Sequence, residues 1–225
     1  MIRLEGEITG ADARFLTIRV PYTPEYVHQD MTRATVFLQD GRTIHPEQRR
    51  KAWALIGEIA AWSGYKASET EEVNALMKRD FLLKRADDLT AKAIRQFSLG
   101  TVDVSTASMY ISHLVDFVLE NNVPTKQPIA EMCEDIQKAV YSALIHKRCI
   151  VCGQKAELHH VDRIGMGNNR NEVNHIGRRC LPLCRAHHQE IDHRGDAAFC
   201  ALYHVEPVAI DQKISQVYRL RGGKS

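Results

Sequence analysis

No apolar run in these 225 residues approaches the ~20 needed to span a bilayer, and Met1-Ile-Arg-Leu-Glu-Gly-Glu7 lacks the charged-then-apolar pattern of a secretion signal. The expectation is a soluble, cytoplasmic chain with no membrane partner. Net charge is small too: +2 argues for no particular partner. Six cysteines would suit a disulfide framework in a secreted protein. Without a secretion signal they favour reduced thiols. What is present is ample apolar content, 44%, enough for one large or two modest globular domains and too much for a disordered chain.

The distribution of charge says more than its sum. Residues 141–225 hold 13 Lys and Arg against 8 Asp and Glu, or +5, whereas residues 1–140 hold 17 against 20, or −3. Eight of the 11 histidines also lie in the later segment. Polyanion binding is therefore expected there, with salt-sensitive affinity.

The first 44 residues read as β structure. Ile2 to Ile8, Phe15 to Val20 and Ala34 to Leu38 alternate or run apolar, and Asp40-Gly41 is a hairpin-type turn into Arg42-Thr-Ile44. Pro46 then opens a helix through Trp53, Leu55, Ile56, Ile59 and Trp62 that stops before Gly64. Ser68 with Glu71 has the capping-box pattern for a second helix through Val73, Met77 and Phe81. Residues 84–104 are polar and weakly periodic, and Ser98-Leu-Gly100 suggests a border near 100. Beyond it, Ser105 or Thr106 caps a helix carrying Met109, Tyr110, Leu114, Phe117 and Val118. Another helix from about Pro128, with Ile129, Met132, Cys133, Ile136, Val140 and Leu144, delivers the chain to Cys149. The fold class expected is α+β, a small N-terminal antiparallel sheet plus helices, followed by a metal-stabilised unit.

That unit is where the chemistry concentrates. Cys149 and Cys152 have the C-x2-C spacing that lets two thiolates converge on one ion, with Gly153 at the turn. Pro182 and Leu183 lead into good helix formers, where Cys184 and His187 lie three apart on one face. The reading is a structural zinc held by Cys149, Cys152, Cys184 and His187. The rival second pair, Cys180 with Cys184, is less favoured because Arg179-Cys180-Leu181 alternates like a strand.

On a helix beginning near Pro182, His188 and Asp192 share a face turned about 100° from that of Cys184 and His187, so one helix can serve two metals. Upstream, Ala156-Glu-Leu-His-His-Val161 reads as a short strand. One of His159 and His160 would bind a hydrolytic metal and the other would deprotonate water, because imidazole titrates near neutrality. Adjacent strand residues face opposite ways, so both reach one phosphate only if the strand ends there. The Gly- and Asn-rich run from Asp162 to Asn171 supplies such an ending. Asp162 would orient the imidazole or cap a turn. Arg163, Arg170, Arg178, Arg179 and Arg185 surround the motif and together fit a DNA track.

The order Cys-x2-Cys, His-His, loop, Leu-Cys-x2-His-His and a ligand four residues on resembles the HNH endonucleases. His159-His160-Val161-Asp162, Gly165-Met166-Gly167, Asn169-Arg170, His175-Ile176-Gly177 and Leu183-Cys184-Arg185-Ala186-His187-His188 resemble, more narrowly, HNH nucleases encoded by bacteriophages. The resemblance implies a ββα-metal fold, DNA as substrate, and a role in phage DNA recombination or processing in a bacterial host. It implies His159 as metal ligand, His160 as general base, and His188 with Asp192 as the helical ligands. The middle position of the HNH triad has no certain equivalent; His175 is chosen over Asn174. The last metal position is commonly His, and here it is Asp192, since His193 falls off the face of His188. A carboxylate there shifts preference towards Mg²⁺ or Mn²⁺.

The organisation expected is thus 1–100 as sheet plus helices with possible DNA-binding capacity, 101–148 as connecting helices, 149–215 as the HNH unit closed by Phe199, Tyr203, Val205, Val208 and Ile210, and 216–225 as a frayed tail. The stretch from Asp40 to Gly64 is similar to NinB-type phage recombination mediators, which bind single-stranded DNA. On that likeness Arg49, Arg50, Lys51, Trp53 and Trp62 would contact phosphates and stack on bases. The plain alternative is a basic-faced helix with its tryptophans in the core. A metal-dependent DNA endonuclease leads, with a homodimer convenient for cutting two strands. The competing readings are a non-catalytic zinc-stabilised DNA-binding module and an RNase.

Overall fold

The computed structural model describes residues 6–21, 42, 44–84, 98–162 and 174–220. The fold is α+β. Strands β1 (Glu7–Ala11) and β2 (Leu16–Arg19) pair antiparallel. Asp12 ties their turn by accepting from the backbone N–H groups of Arg14 and Phe15, each at 2.7 Å. The strand expected over 34–38 and the turn at Asp40-Gly41 lie outside the described residues.

Helix α1 (Pro46–Trp62) occupies the expected span, with Gln48 Oε1 accepting from the backbone N–H of His45 at 3.1 Å. Its buried stripe is Ala52, Leu55, Ile56, Ile59 and Ala60. Helix α2 (Thr70–Leu83) starts differently from expectation. Residues Ala67–Glu69 form a 3-10 turn, and Glu69, not Glu71, reaches back to a backbone N–H, that of Lys66 at 2.7 Å. Helix α3 (Val104–Asn121) is capped by Asp103, which accepts from the Thr106 N–H at 2.9 Å, rather than by Ser105 or Thr106. The Asp103 carboxylate, two residues before Ser105, was available, and it suits the positive end of the helix better than a hydroxyl.

The single helix expected from Pro128 is two: α4 (Ile129–Met132) and α5 (Ile136–Ile145). Cys133 is extended between them, and Asp135 caps α5 through the Lys138 N–H at 3.0 Å. The apolar spacing reads through this break because both helices turn their stripes to one core.

α1 and α5 both pack against α3, where Tyr110, Ile111, Leu114 and Leu144 are fully buried. Each such side chain contributes about 1.5–3 kcal/mol of burial free energy. The Ile44 N–H bonds the Val102 carbonyl (2.9 Å) and the Val104 N–H the Arg42 carbonyl (3.1 Å), so elements on both sides of position 100 share the core. α5 also packs on the second sheet.

That sheet is antiparallel, in the order β3 (Glu157–His160), β4 (Arg179–Leu183), β5 (Val208–Ala209). His159 pairs with Leu181 and His160 with Cys180. Helices α6 (Arg185–Arg194), α7 (Asp196–Tyr203) and α8 (Gln212–Tyr218) complete the unit. The helix expected from Pro182 begins instead at Arg185, and Pro182 sits within β4. A proline is tolerated there because β5 pairs only with Arg179 and Cys180, so the ladder does not ask for an N–H at Pro182, whose carbonyl accepts from Ile150 N–H at 3.1 Å. α8 carries ordered structure past 215 to Tyr218, capped by Asp211 through the Ile214 N–H at 2.8 Å. Among the described residues no helix is long and apolar enough to cross a membrane.

Candidate metal centres and active site

The turn after α5 places the first donor pair. Cys149 is fully buried, its N–H donates to the Gln154 carbonyl at 2.7 Å, and its carbonyl accepts from Gly153 N–H at 2.8 Å. Gly153 sits at φ +69, which a side chain would strain. At the other end of the unit, Cys184 is the residue before the first turn of α6 and His187 lies within that turn. The four donor atoms of Cys149, Cys152, Cys184 and His187 lie within 4.8 Å of one another. His187 Nδ1 is 3.2 Å from Cys184 Sγ and 3.5 Å from Cys149 Sγ, and Cys152 Sγ is 3.6 Å from Cys184 Sγ.

Ligands about 2.0–2.3 Å from a tetrahedral zinc stand about 3.3–3.8 Å apart, so this donor set has the size of that ion. Burial, with the neighbouring thiols adding to it, pushes the Cys149 thiol up to about 12 and raises Cys152 as well. Thiols so crowded, Cys149 and Cys184 buried and Cys152 exposed, fit a cation, which would take the place of their protons. Cys180 is fully buried in β4, outside the cluster.

A second cluster joins β3 to α6. His159, His188 and Asp192 bring one donor atom each within 4.8 Å of the others, and the two imidazole centroids are 4.9 Å apart. The strand and the helix supply different depths: His159 is only 5% exposed, His188 is half-buried, and Asp192 is exposed. Among the described residues, two imidazoles and a carboxylate open to solvent would fill only part of a coordination sphere, with room for water or substrate. His193, exposed in the last turn of α6, is outside this group, and Asp192 is within it.

His160 points off the other side of the strand. Its Nε2 is 2.9 Å from His175 Nδ1, with ring centroids 5.0 Å apart. His175 is 6% exposed and is held by the turn at 174–178, where Gly177 takes φ +82 and its N–H donates to the Ile210 carbonyl at 2.8 Å. Asn174, the other candidate for the middle position, makes local turn bonds: its Oδ1 accepts from Ile176 N–H at 3.0 Å and its carbonyl from Arg178 Nε at 3.2 Å.

Asp162, offered above as an orienter of the imidazole or a turn cap, holds Arg179. Its carboxylate accepts from the Arg179 backbone N–H at 2.7 Å and from the guanidinium at 3.1 and 2.7 Å. The hydrogen bonds from Arg179 keep the Asp162 carboxyl below the ordinary carboxylate range. Arg179 is thereby fixed while still exposed, Arg178 is bonded to the Asp162 carbonyl at 3.4 Å, and Arg185 is exposed in the first turn of α6. Arg163 and Arg170 lie outside the described residues.

On α1, Arg49 and Lys51 of the NinB-like stretch make internal contacts, and Arg50 is exposed. Arg49 donates to the Leu99 and Gly100 carbonyls at 2.9 and 3.2 Å, and Lys51 pairs with Glu134 at 3.0 Å. Trp53 is half-buried, and Trp62 sets its edge against Phe117 with centroids 6.4 Å apart.

Two carboxylates that sequence reasoning passed over touch the metal-cluster histidines. Glu157 Oε2 is 3.6 Å from His188 Nδ1, and Asp196 Oδ1 is 3.0 Å from His159 Nε2. Glu157 stands two positions before His159 in β3, and strand alternation would have put it on the same face. Asp196 carried no such signal.

A protein-family model described as "Putative HNHc nuclease" matches residues 25–221. No curated protein and no solved structure matches the chain.

Proposed function

The chain belongs to the "Putative HNHc nuclease" family, and on that premise we propose that it is a metal-dependent endonuclease hydrolysing DNA phosphodiester bonds at the junction of β3 and α6. The observation that carries this reading is the convergence of His159, His188 and Asp192 on one centre, with His160 adjacent to His159 in β3 and paired with His175. A divalent ion held by those three, Mg²⁺ or Mn²⁺ in keeping with the carboxylate, would supply a Lewis acid that neutralises charge developing on the phosphate. Cys149, Cys152, Cys184 and His187 would hold the structural zinc.

The protein's own part is proton transfer and positioning. For His160 to take a proton from water, its Nε2–H must donate to His175 Nδ1, which leaves His160 Nδ1 as the basic nitrogen. His175 acts through His160 and is a positioning residue, locked by burial and by its turn. Arg179, steadied by Asp162, and exposed Arg185 offer guanidinium forks to phosphates, with Arg178 behind them. Arg163 and Arg170, in the intervening segment, are proposed for the same track.

Incubation with supercoiled plasmid, branched DNA and a matched RNA, each with Mg²⁺ or Mn²⁺, tests the reading. Metal-dependent nicking of DNA, abolished when the exchangeable cation is removed and restored on its return, is the expected result. A protein that takes up both cations yet cleaves none of these DNAs would be a zinc-stabilised binding module instead. One that cleaves only the RNA would be a ribonuclease.

A further inference from the structure

The chain leaves α6 at Gly195, where φ is +89, and turns at once into α7, whose first residue is Asp196. The turn lays the Asp196 carboxylate against the back of β3, Oδ1 to His159 Nε2 at 3.0 Å. His159 is 5% exposed, and the Asp196 side chain is 25% exposed. Asp196 also brings its charge close to Arg179, the arginine anchored by Asp162. Yet Asp196 is not in the donor group formed by His159, His188 and Asp192. It meets His159 without sharing that group.

We infer that Asp196 is a positioning residue for the hydrolytic metal: it accepts the Nε2–H of His159, holds the ring in place, and leaves Nδ1 as the nitrogen whose lone pair faces the cation. This rests on the metal-site reading above and deepens it. A neutral imidazole carries one proton on its two nitrogens. A carboxylate at hydrogen-bond distance from one nitrogen stabilises the tautomer protonated there, so the other must be the ligand, and the charge makes that ligand more basic. The buried position of His159 makes the effect larger, because little water competes for the N–H.

The test uses the full chain with its zinc in place. Calorimetric titration with Mn²⁺ should show Asp196→Ala weakening the second cation about 10- to 100-fold. Asp196→Asn keeps an acceptor and loses the charge, so its loss should be smaller. Zinc content and melting temperature separate this from damage to α7: in Asp196→Asn both should match the parent. Nitrogen-15 spectra of the Mg²⁺-loaded protein should show the His159 proton on Nε2. Mn²⁺ affinity of Asp196→Ala within twofold of the parent would overturn the inference while leaving the metal site standing, as would a His159 that binds the cation through Nε2. A parent chain that takes up no second cation would remove the site and the inference together.

Discussion

Replacing Cys184 by serine is expected to strip the zinc and melt the unit from Cys149 to Leu220. The ion, by the reading above, fastens two places far apart in the chain, the turn after α5 and the start of α6, and almost everything in the unit leans on them. Pro182, beside the cluster, accepts a hydrogen bond from Ile150 N–H at 3.1 Å, and His187 packs edge-on to Tyr203 with centroids 5.5 Å apart. Zinc binding at such sites is worth about 10–16 kcal/mol in small zinc-dependent domains. A whole domain is stable by only about 5–15 kcal/mol, so the loss outweighs what packing can retain. Cys180→Ser is the control. Cys180 is equally buried but stands outside the donor set, so its serine variant should keep one zinc and lose only the cost of a buried hydroxyl, about 1–3 kcal/mol. Metal analysis and thermal melting of both variants decide the matter: a Cys184→Ser protein that melts with the parent would show that the cluster holds no structural ion.

His160→Ala is expected to lower DNA cleavage by about 10²- to 10⁴-fold, the range for loss of a general base. Its metal content should not change, because His160 faces His175 and the donors at the exchangeable site are His159, His188 and Asp192. His175→Ala removes a positioning contact rather than the base and should cost less. Single-turnover rates at saturating Mn²⁺ make the comparison. If His160→Ala cleaves as fast as the parent while His188→Ala is inert, the base is some other group.

Much of this was legible in the residues. Helices α1 and α3 follow from apolar spacing alone, because each buries one stripe against the other and nothing interrupts the period. Both groups of donor side chains were legible too, since three- and four-residue spacings on a helix and a position on a strand translate directly into geometry. The start of α6 was misjudged because Pro182 is a helix-opening signal in sequence and a strand residue in the fold. Its acceptability there depends on where β5 stops, a tertiary fact. The division of α4 from α5 was hidden because Asp135 reads as one polar residue in a periodic run, whereas its carboxylate restarts the helix. The role of Asp196 was least legible. Gly195 ends the period of α6, so only the path of the turn brings that carboxylate to His159. The pairing of His160 with His175 depends in the same way on a turn, held by Gly177 and Ile210, that local patterns leave undefined.

The central claim is that two separate cations occupy one small unit, one fastening it and one serving hydrolysis. Anomalous diffraction from Mn²⁺-soaked crystals, recorded at the zinc edge and at a wavelength where manganese alone scatters strongly, measures this directly. One zinc peak enclosed by Cys149, Cys152, Cys184 and His187, and one manganese peak enclosed by His159, His188 and Asp192, is the result expected. Manganese absent from the second position, or bound away from His188, would contradict it.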